Sequence, residues 1–451
     1  MKIKELELEN FKVFKSQVFK FKKITVLAGA NSAGKSTVLN ALASILQGSE
    51  SRPFPFYFSN YGENVHLGGF KDIVTGGLSN SKFSVGITFN NGKVDSYAKG
   101  VYRYATNGQQ ILIDDVCIKN NFNKFSVKWE GQNKGYSAFR EISIKNKEKE
   151  NKIASLIMSS FSDFLSNVTD EKADDEKLNK YLHDMTSSSD AWEKVDAKSS
   201  KDLYSSINEI ARYKISIDAY KRAFLNLLNN TSYIGPIRPY PSRHYFLSSY
   251  QDKMDALGAN AFQLLIGWYK SEPKKFNKII NDLRTLKLAE SLSPDSIKDE
   301  LVELNVQPFG QKHSVNLSDV GFGLSQILPV LVANAAAEKD GTLLVNQPEV
   351  HLHPSSQAML ADYFCNESKG RNFIIETHSE YLINRLRLLV AKGKLSQDDV
   401  SIIYIDNGCD GPEVSNISIE KSGALTNAPE SFFDTYYVDS NELVFACLGG
   451  E

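Results

Sequence analysis

The sequence predicts an α/β fold organised around a phosphate-binding strand, loop and helix, and three observations carry that prediction. Residues 29–36 read G-x-x-x-x-G-K-S, directly after the apolar run Ile24, Val26 and Leu27. Apolar residues at helical spacing follow, namely Val38, Leu39, Ala41, Leu42, Ile45 and Leu46. Residues 83–144 switch to short alternating runs broken by Asn-Asn-Gly and Asn-Gly, the turn chemistry of antiparallel hairpins. Two further apolar strands, 342–345 and 373–375, each end in a polar cluster, the usual place for ligands at the carboxyl edge of a parallel sheet.

Taken in order, residues 1–89 hold two short strands and then the phosphate strand, loop and helix, the N-terminal half of the core. A β-rich portion occupies 90–149. Residues 150–315 turn polar and helical (Ile153, Leu156, Ile157, Phe161, Phe164, Leu165), with a charged stretch at 170–177 and a Ser187-Ser188-Ser189 break. That pattern predicts an inserted helical lobe with an exposed tip and a connecting region. Its heptads are too poorly sustained for a long coiled-coil arm. Residues 316–451 return to strands and helices, the C-terminal half of the core with a tail.

With 451 residues, 41% hydrophobic and 24% charged, the chain has material for two or three lobes, and its net charge of −2 makes no global case for nucleic acid. Local basic clusters at Lys12, Lys15, Lys20, Lys22 and Lys23, and at Arg385, Arg387, Lys392 and Lys394, read as solvated faces. The opening residues alternate charged and apolar, unlike a signal peptide, and no apolar run approaches bilayer-spanning length. A cytoplasmic protein without a membrane partner is expected. Cys117, Cys365, Cys409 and Cys447 lie far apart with no C-x-x-C pair, which argues against a zinc ribbon or a disulfide frame.

The phosphate loop supplies the chemistry. Asn31, Ser32, Ala33, Gly34, Lys35, Ser36 and Thr37 can turn successive backbone N–H groups onto phosphates. Lys35 can reach the β and γ oxygens, and the Ser36 hydroxyl is placed to coordinate Mg²⁺. Binding of ATP or GTP is the expectation. A second Gly/Ser-rich turn runs into the apolar helix pattern that ends near Pro329, and Gly321, Gly323 and Ser325 offer another anion cradle at a helix N-terminus. Strand 342–345 leads into Asn346, Gln347 and Glu349, and strand 373–375 into Glu376, Thr377, His378 and Ser379.

Together these segments resemble the ABC-class ATPases of the SMC, RecF and OLD type. Residues 8–14 resemble their xNFxxF strand, 29–37 Walker A, 321–326 a variant signature loop, 345–354 Walker B with an EQPExHLHP extension, and 376–379 the switch-histidine loop. Residues 65–74, 233–238 and 428–434 further resemble a bacterial subfamily whose C-terminal domain of unknown function ends in a WPEGFFD-like motif. That subfamily is related to the Septu PtuA-type ATPases, which serve in antiphage defence beside a separate nuclease. The resemblance covers both ends of the chain well and residues 90–230 poorly.

The resemblance implies an ABC-ATPase-like P-loop core with an N-terminal antiparallel β portion and an inserted helical lobe, using ATP and Mg²⁺. It implies a homodimer whose two cores meet head to tail around two nucleotides, Walker A of one facing the signature loop of the other, and a higher homo-oligomer. ATP would hold the pair together, hydrolysis would release it, and the inserted lobe would pass the change to a separate effector such as a nuclease. Lys35, Gln347, Glu349 and His378 would surround the reacting phosphate, with His378 sensing the γ-phosphate and the attacking water. Ser36 and Asn346 would hold the metal.

One departure bears on rate. Where relatives carry an acidic Walker B residue and then a catalytic glutamate, this chain has Asn346 and Gln347, although Gln is usual at the second position in the narrower subfamily. An amide can hold a metal-bound water, but it neither takes a proton nor supplies negative charge. Loss of one general base costs roughly 10² to 10⁴ in rate, so slow turnover or an ATP-locked assembly is expected. Glu349 is the nearest carboxylate in the motif, and both Glu349 and Glu376 stay open as substitutes.

The expected function is a sensor or scaffold subunit of a bacterial two-component system, in antiphage defence. A RecF- or SMC-like DNA repair or maintenance ATPase and a non-hydrolysing ATP-bound scaffold are the alternatives, and nucleic-acid contact stays open. His351 and His353 could be drawn into a metal site with Glu349 and His378, but a role in the nucleotide core is the preferred reading. Arg238 and Arg243, in a proline-bounded loop, either contact phosphate or DNA or pair with carboxylates. The Asp114-Asp115 pair lacks the E-x-K companion of a nuclease and reads as a turn or solvated edge, so no nuclease activity is expected in this chain.

Overall fold

The computed structural model describes residues 2–49, 51–90, 94–105, 110–121, 123–142, 191–197, 200–246, 254–298, 301–429, 432 and 442–447. They form two compact units, one of Met1–Val18 and Ser44–Asn229 and the other of Phe19–Ala43 and Asn230–Glu451.

The first unit is built on an eight-stranded sheet. Its strands are β1 (Lys2–Phe11), β2 (Phe14–Lys20), β4 (Lys82–Asn90), β5 (Asp95–Ala105), β6 (Gln110–Lys119), β7 (Asn123–Trp129), β8 (Tyr136–Ile142) and β9 (Glu193–Val195), in the order β2-β1-β4-β5-β6-β7-β8-β9. Pairing from β1 to β9 is antiparallel at every step, as the alternating pattern and turn residues require. The two opening strands exist as expected, but β1 pairs with β4 (Leu8 opposite Val85) and so joins this antiparallel sheet. In β5 the alternation buries Ser96, Ala98 and Tyr102 on one face.

An aromatic cluster fills the interior of this unit. The Phe83 ring lies 5.8 Å from Phe11, 5.3 Å from Phe58, 5.6 Å from Phe70 and 5.2 Å from Tyr102. Phe70 belongs to the short helix α2 (Phe70–Ile73). Helices α3 (Ser200–Glu209) and α4 (Ala211–Asn229) also belong here, and Tyr213 of α4 packs its ring 5.2 Å from Phe125 and donates to the Ala138 carbonyl at 3.3 Å. The rest of the expected helical lobe, residues 150–190 with the 170–177 stretch and the Ser187-Ser188-Ser189 break, lies outside the described residues.

Asp114 and Asp115 are not a turn or a solvated edge. They sit inside β6, where the register slips between Val101 and Tyr102 and leaves Asp114 without an opposite residue on β5, a bulge. Asp114 is buried and ion-paired with Lys82 at 2.6 Å and Arg103 at 3.5 Å, the pairing that makes a buried carboxylate tolerable.

The second unit holds the parallel sheet. Its strands are β3 (Ile24–Gly29), β10 (Thr231–Ile234), β15 (Thr342–Asn346), β16 (Asn372–Glu376), β17 (Val400–Gly408), β18 (Gly411–Ile419) and β19 (Leu425–Thr426), ordered β10-β15-β16-β3-β17-β18-β19. The first five run parallel, and β18 and β19 add an antiparallel edge. The near-continuous apolar composition of β3, β15 and β16 is what burial on both faces demands.

Helix α1 (Lys35–Leu46) follows β3. The others of this unit are α5 (Ala261–Ser271), α6 (Pro273–Thr285), α7 (Phe322–Ala336), α8 (Pro354–Glu367) and α9 (Glu380–Ala391). In α7 every residue from Leu324 to Ala335 is buried, and all but Ser325, Gln326 and Asn334 are apolar. The stretch 150–315, read as helical, also contains strands. Besides β10, β12 (Ala289–Lys298) and β13 (Leu301–Pro308) form an antiparallel hairpin joined by β11 (Tyr245–Phe246) and β14 (Val315–Asn316). Val302, Leu304 and Val306 alternate inward on β13, a period-2 signal masked in the sequence by the polar composition of β12.

The Phe83→Ala variant is expected to lose about 3–5 kcal/mol of stability in chemical denaturation, because it removes the ring shared by four aromatic neighbours. A loss below about 1 kcal/mol would mean that this cluster does not hold the unit together.

Candidate functional site

The phosphate loop leaves the carboxyl end of β3, which lies between β16 and β17. Its backbone conformation explains its composition. Gly29 has φ +132°, and a Cβ there would lie 1.9 Å from the Ile405 carbonyl oxygen, so only glycine fits. Ser32 and Gly34 are also left-handed, at φ +62° and +115°. Helix α1 starts at Lys35, which sets its first-turn amides, those of Lys35, Ser36 and Thr37, at the end of the loop where anions are favoured. Asn31 is exposed, with its carbonyl accepting from Asn407 Nδ2 at 3.3 Å, and Ala33 is buried with its amide bonded to Ala30 O at 3.5 Å.

Lys35 is buried and its Nζ donates to the Gly29 and Ala30 carbonyls at 3.0 and 2.6 Å. Burial lowers its pKa, outweighing the attraction of the Glu376 carboxylate that raises it. The Ser36 hydroxyl donates to Glu376 Oε1 at 2.7 Å. Glu349 is the nearest carboxylate in the motif, but in space it is Glu376 that the Ser36 hydroxyl touches.

Parallel register explains how these groups meet. Asn346, the last residue of β15, is the register partner of Glu376, the last of β16, and Glu376 is in turn the partner of Leu27 on β3. Neighbouring partners in a parallel sheet present their side chains on the same face. Past the strand ends the ladder continues through Gln347 N to Glu376 O at 2.8 Å and Thr377 N to Leu27 O at 3.0 Å. The amide of Asn346 donates through Nδ2 to the Tyr233 hydroxyl at 3.2 Å, while its Oδ1 is buried with no hydrogen-bond partner.

Glu349 lies in the loop beyond β15, buried, and its Oε1 accepts from the His378 backbone N at 2.8 Å. It therefore fixes the loop that follows β16. Ser379 accepts from Leu382 N at 3.1 Å as N-cap of α9 and donates to Gln357 Oε1 at 2.7 Å, so both ends of the His378 backbone are held. The His378 ring itself reaches solvent, and partial desolvation together with the Lys35 ammonium pushes its pKa below the ordinary imidazole range. Gln347 is half-buried at φ +43°, a left-handed residue immediately after the strand.

Both acids have raised pKa values. Desolvation is the largest cause for each, ahead of the Ser36 bond and Lys35 for Glu376 and ahead of the His378 amide for Glu349, and the Glu349 charge raises Glu376 further. The direction follows from magnitudes. A charge-assisted hydrogen bond returns roughly 1.5–3 kcal/mol, less than the several kcal/mol lost when a carboxylate leaves water.

The Gly/Ser turn has a different local role from the one its composition suggests. Ser325 is fully buried and its hydroxyl donates to the Phe322 carbonyl at 2.9 Å, within the helix. A Cβ on Gly323 would lie 2.6 Å from the His351 carbonyl oxygen, so this glycine admits the loop after β15 against α7. Gly321, the N-cap of α7, has open space around it, and Phe322 beside it is 56% exposed. Of the three cradle residues, only Gly321 lies open to solvent.

Arg238 resolves against a phosphate or DNA contact. Its guanidinium is buried, bonded to the carbonyls of Asn346 and, at 3.3 Å, Gln326, and burial lowers its pKa to about 10. Gln326 Nε2 returns a bond to the Arg238 carbonyl at 3.2 Å, so Arg238 ties α7 to the end of β15. Arg243 pairs with Asp319 at the surface. His353 caps α8 through Nδ1, and the His351 ring lies 5.4 Å from Phe322. Among the described residues no group of three or more His, Cys, Asp or Glu is placed to hold a metal ion. The sequence did not single out Tyr233 as a partner for Asn346, since nothing local to residue 233 points across the sheet.

Of the basic clusters, Lys12 donates to the Leu67 carbonyl at 2.7 Å, Lys23 pairs with Asp399 at 2.9 Å and Arg385 with Asp362 at 2.8 Å. None of the cysteines is in a disulfide. No helix among the described residues is long and apolar enough to cross a membrane.

The phosphate loop, the parallel sheet around it and the acids at its carboxyl edge define the class, a P-loop core in a chain that also carries a large antiparallel sheet. Residues 1–383 match the family described as an AAA ATPase domain, and the chain belongs to that family. No curated protein matches the chain. Solved structures that are similar include an SMC head bound to the C-terminal winged-helix domain of ScpA (TM-score 0.44, 15% identity, covering 93% of this chain and 98% of that one). They also include the SMC head domain from Thermotoga maritima (0.39, 10%, 92% and 98%) and a Pyrococcus furiosus SMC head with an extended coiled coil bound to the C-terminal domain of ScpA (0.43, 14%, 93% and 97%). A likeness this distant says nothing of what this chain does.

Because burial raises Glu349 and Glu376 above their unfolded values, these two groups bind more protons in the folded chain than in the unfolded one between those values, and their contribution to stability falls as pH rises through that window. In buffer with EDTA and no nucleotide, Glu376→Gln should therefore melt higher than the parent, by a margin that widens as pH rises above the ordinary carboxylate range. Each ~1 kcal/mol of relieved burial corresponds to roughly 2 °C for a unit of this size. A margin that does not widen would show that Glu376 is not carrying this cost.

Proposed function

We propose that the chain is a Mg²⁺- and ATP-dependent P-loop ATPase with slow turnover, acting as the sensor or scaffold subunit of a bacterial antiphage system with a separate effector such as a nuclease. The observation that carries the ATPase part is the convergence of Lys35, Ser36, Asn346, Glu349, Glu376 and His378 at the carboxyl edge of three neighbouring parallel strands. Lys35 would exchange two neutral carbonyls for phosphate oxygens, which are stronger acceptors, while the first-turn amides of α1 hold the remaining oxygens.

Ser36 and Asn346 fit as metal ligands in kind, since both present oxygen and the Asn346 Oδ1 is buried without a partner. Mg²⁺ there would neutralise charge on the β- and γ-phosphates. Gln347 can orient a water but takes no proton, Glu349 is the carboxylate that sets the His378 loop, and His378, neutral at physiological pH because its pKa is low, can accept from or donate to that water. A missing Walker B acid supports slow turnover.

The head-to-tail homodimer, and a higher homo-oligomer built from it, are supported by exposed Phe322 and open Gly321 at the N-terminus of α7. The defence setting rests on the motif resemblance at 65–74, 233–238 and 428–434. Of that tail motif, Phe432 packs its ring 5.1 Å from Tyr404 of β17.

The Lys35→Ala variant is expected to lose ATP turnover, measured as phosphate release, and to lose protection against phage in cells. Turnover equal to the parent would refute the site. For the dimer, Gly321→Asp is the suitable probe, because a side chain there meets nothing in its own subunit whereas Gly323→Asp would collide with His351. ATP-dependent association in light scattering should disappear in Gly321→Asp with the melting temperature unchanged, and undiminished association would count against the sandwich.

A further inference from the structure

We propose that Glu376 is the metal-holding carboxylate of this site, taking over from the adjacent strand the charge that Asn346 cannot supply. The inference rests on the nucleotide-binding reading above and assigns within it the one negative ligand that reading leaves out. Mg²⁺ beside a nucleotide is held by one or two carboxylates, and a hydroxyl and an amide oxygen supply none.

Three observations point to Glu376, and the first two set it apart from Glu349, whose Oε2 is likewise buried without a hydrogen-bond partner. It is the register partner of Asn346, so the two side chains leave neighbouring strands on the same face. Its Oε1 already accepts from the Ser36 hydroxyl at 2.7 Å, which places it against the group that the phosphate loop commits to the metal. Its Oε2 is buried without a hydrogen-bond partner, as is Asn346 Oδ1, although the Glu376 residue as a whole is only 2% exposed. Two unpartnered buried acceptors on adjoining register partners are costly unless a cation or donor meets them. Ser36 Oγ, Asn346 Oδ1 and Glu376 together make an all-oxygen set suited to a hard divalent cation.

Glu349 is the rival and is placed for another task. It lies beyond the strand in the loop, with Oε1 committed to the His378 amide, whereas the Ser36 hydroxyl is committed to Glu376. Removal of Glu349 would loosen the switch loop rather than the metal.

The test is a carboxylate swap across the register pair, read as ATP affinity by calorimetry with Mg²⁺ and with EDTA, and as Mn²⁺ binding in the presence of ADP by electron paramagnetic resonance. Glu376→Gln keeps an acceptor for Ser36 and is expected to retain the EDTA affinity while losing about tenfold or more of the gain from Mg²⁺. Asn346→Asp combined with Glu376→Gln should restore most of that gain and the Mn²⁺ signal, because it moves the charge by one strand.

Full metal enhancement in Glu376→Gln would overturn the assignment. So would a loss that the double variant fails to restore, or a selective loss in Glu349→Gln instead. If Glu376→Gln does not fold, Glu376→Asp decides, since it keeps the charge but shortens its reach and must then weaken Mn²⁺ binding while the affinity for ATP in EDTA holds; unchanged Mn²⁺ binding would overturn the assignment. Failure of the parent protein to bind ATP with either Mg²⁺ or EDTA would instead refute the nucleotide reading itself, a different outcome from loss of the metal effect alone.

Discussion

The register of β15, β16 and β3 is the constraint on which the site depends. Three apolar strands that would be interchangeable by composition are locked so that Asn346, Glu376 and Leu27 stand abreast at their carboxyl ends. A slip of one residue in β16 would turn Glu376 to the opposite face and break its bond to Ser36. Burial on both faces protects the register, since any slip would also misplace Phe373, Ile374 and Ile375 in the core. The loops that follow inherit the alignment through bonds between Gln347 and Glu376 and between Thr377 and Leu27.

Electrostatics at this edge is a contest between burial and hydrogen bonding, and burial prevails at each of its four ionisable groups. Lys35 is pulled down, Glu349 and Glu376 are pushed up, and His378 is lowered, each with desolvation as the leading cause. Such a set is costly in the absence of compensating charge, and a phosphate for the lysine with a cation for the acids would relieve both at once. The same low polarity that makes the groups costly to keep makes their interactions with a charged ligand strong.

Coupling through the sheet edge runs through main-chain contacts more than through side-chain charge. Arg238, bonded to carbonyls of β15 and α7, holds α7 against the end of β15, and Gly323 lets the His351 carbonyl approach that helix closely. Glu349 joins the loop after β15 to the loop after β16. Each of these links ends on backbone, so each constrains the path of the chain and not a side chain alone.

The sequence by itself determined the phosphate loop, the α/β class, the antiparallel portion and the groups at the two later strand ends. Those features are local: glycine at left-handed positions, Lys and Ser at a helix start, period-2 alternation and Asn-Gly turns each constrain the backbone within a few residues. Only the tertiary structure decided that Glu376 rather than Glu349 meets Ser36, that Arg238 serves the main chain, that Ser325 faces inward, that Asp114 is a buried ion pair, and that β12 and β13 form a hairpin where helix was expected. Each depends on which strands become neighbours and in what register, a long-range choice made by the packing of the whole core. Residues 340 positions apart, such as Ser36 and Glu376, carry no local mark of their partnership.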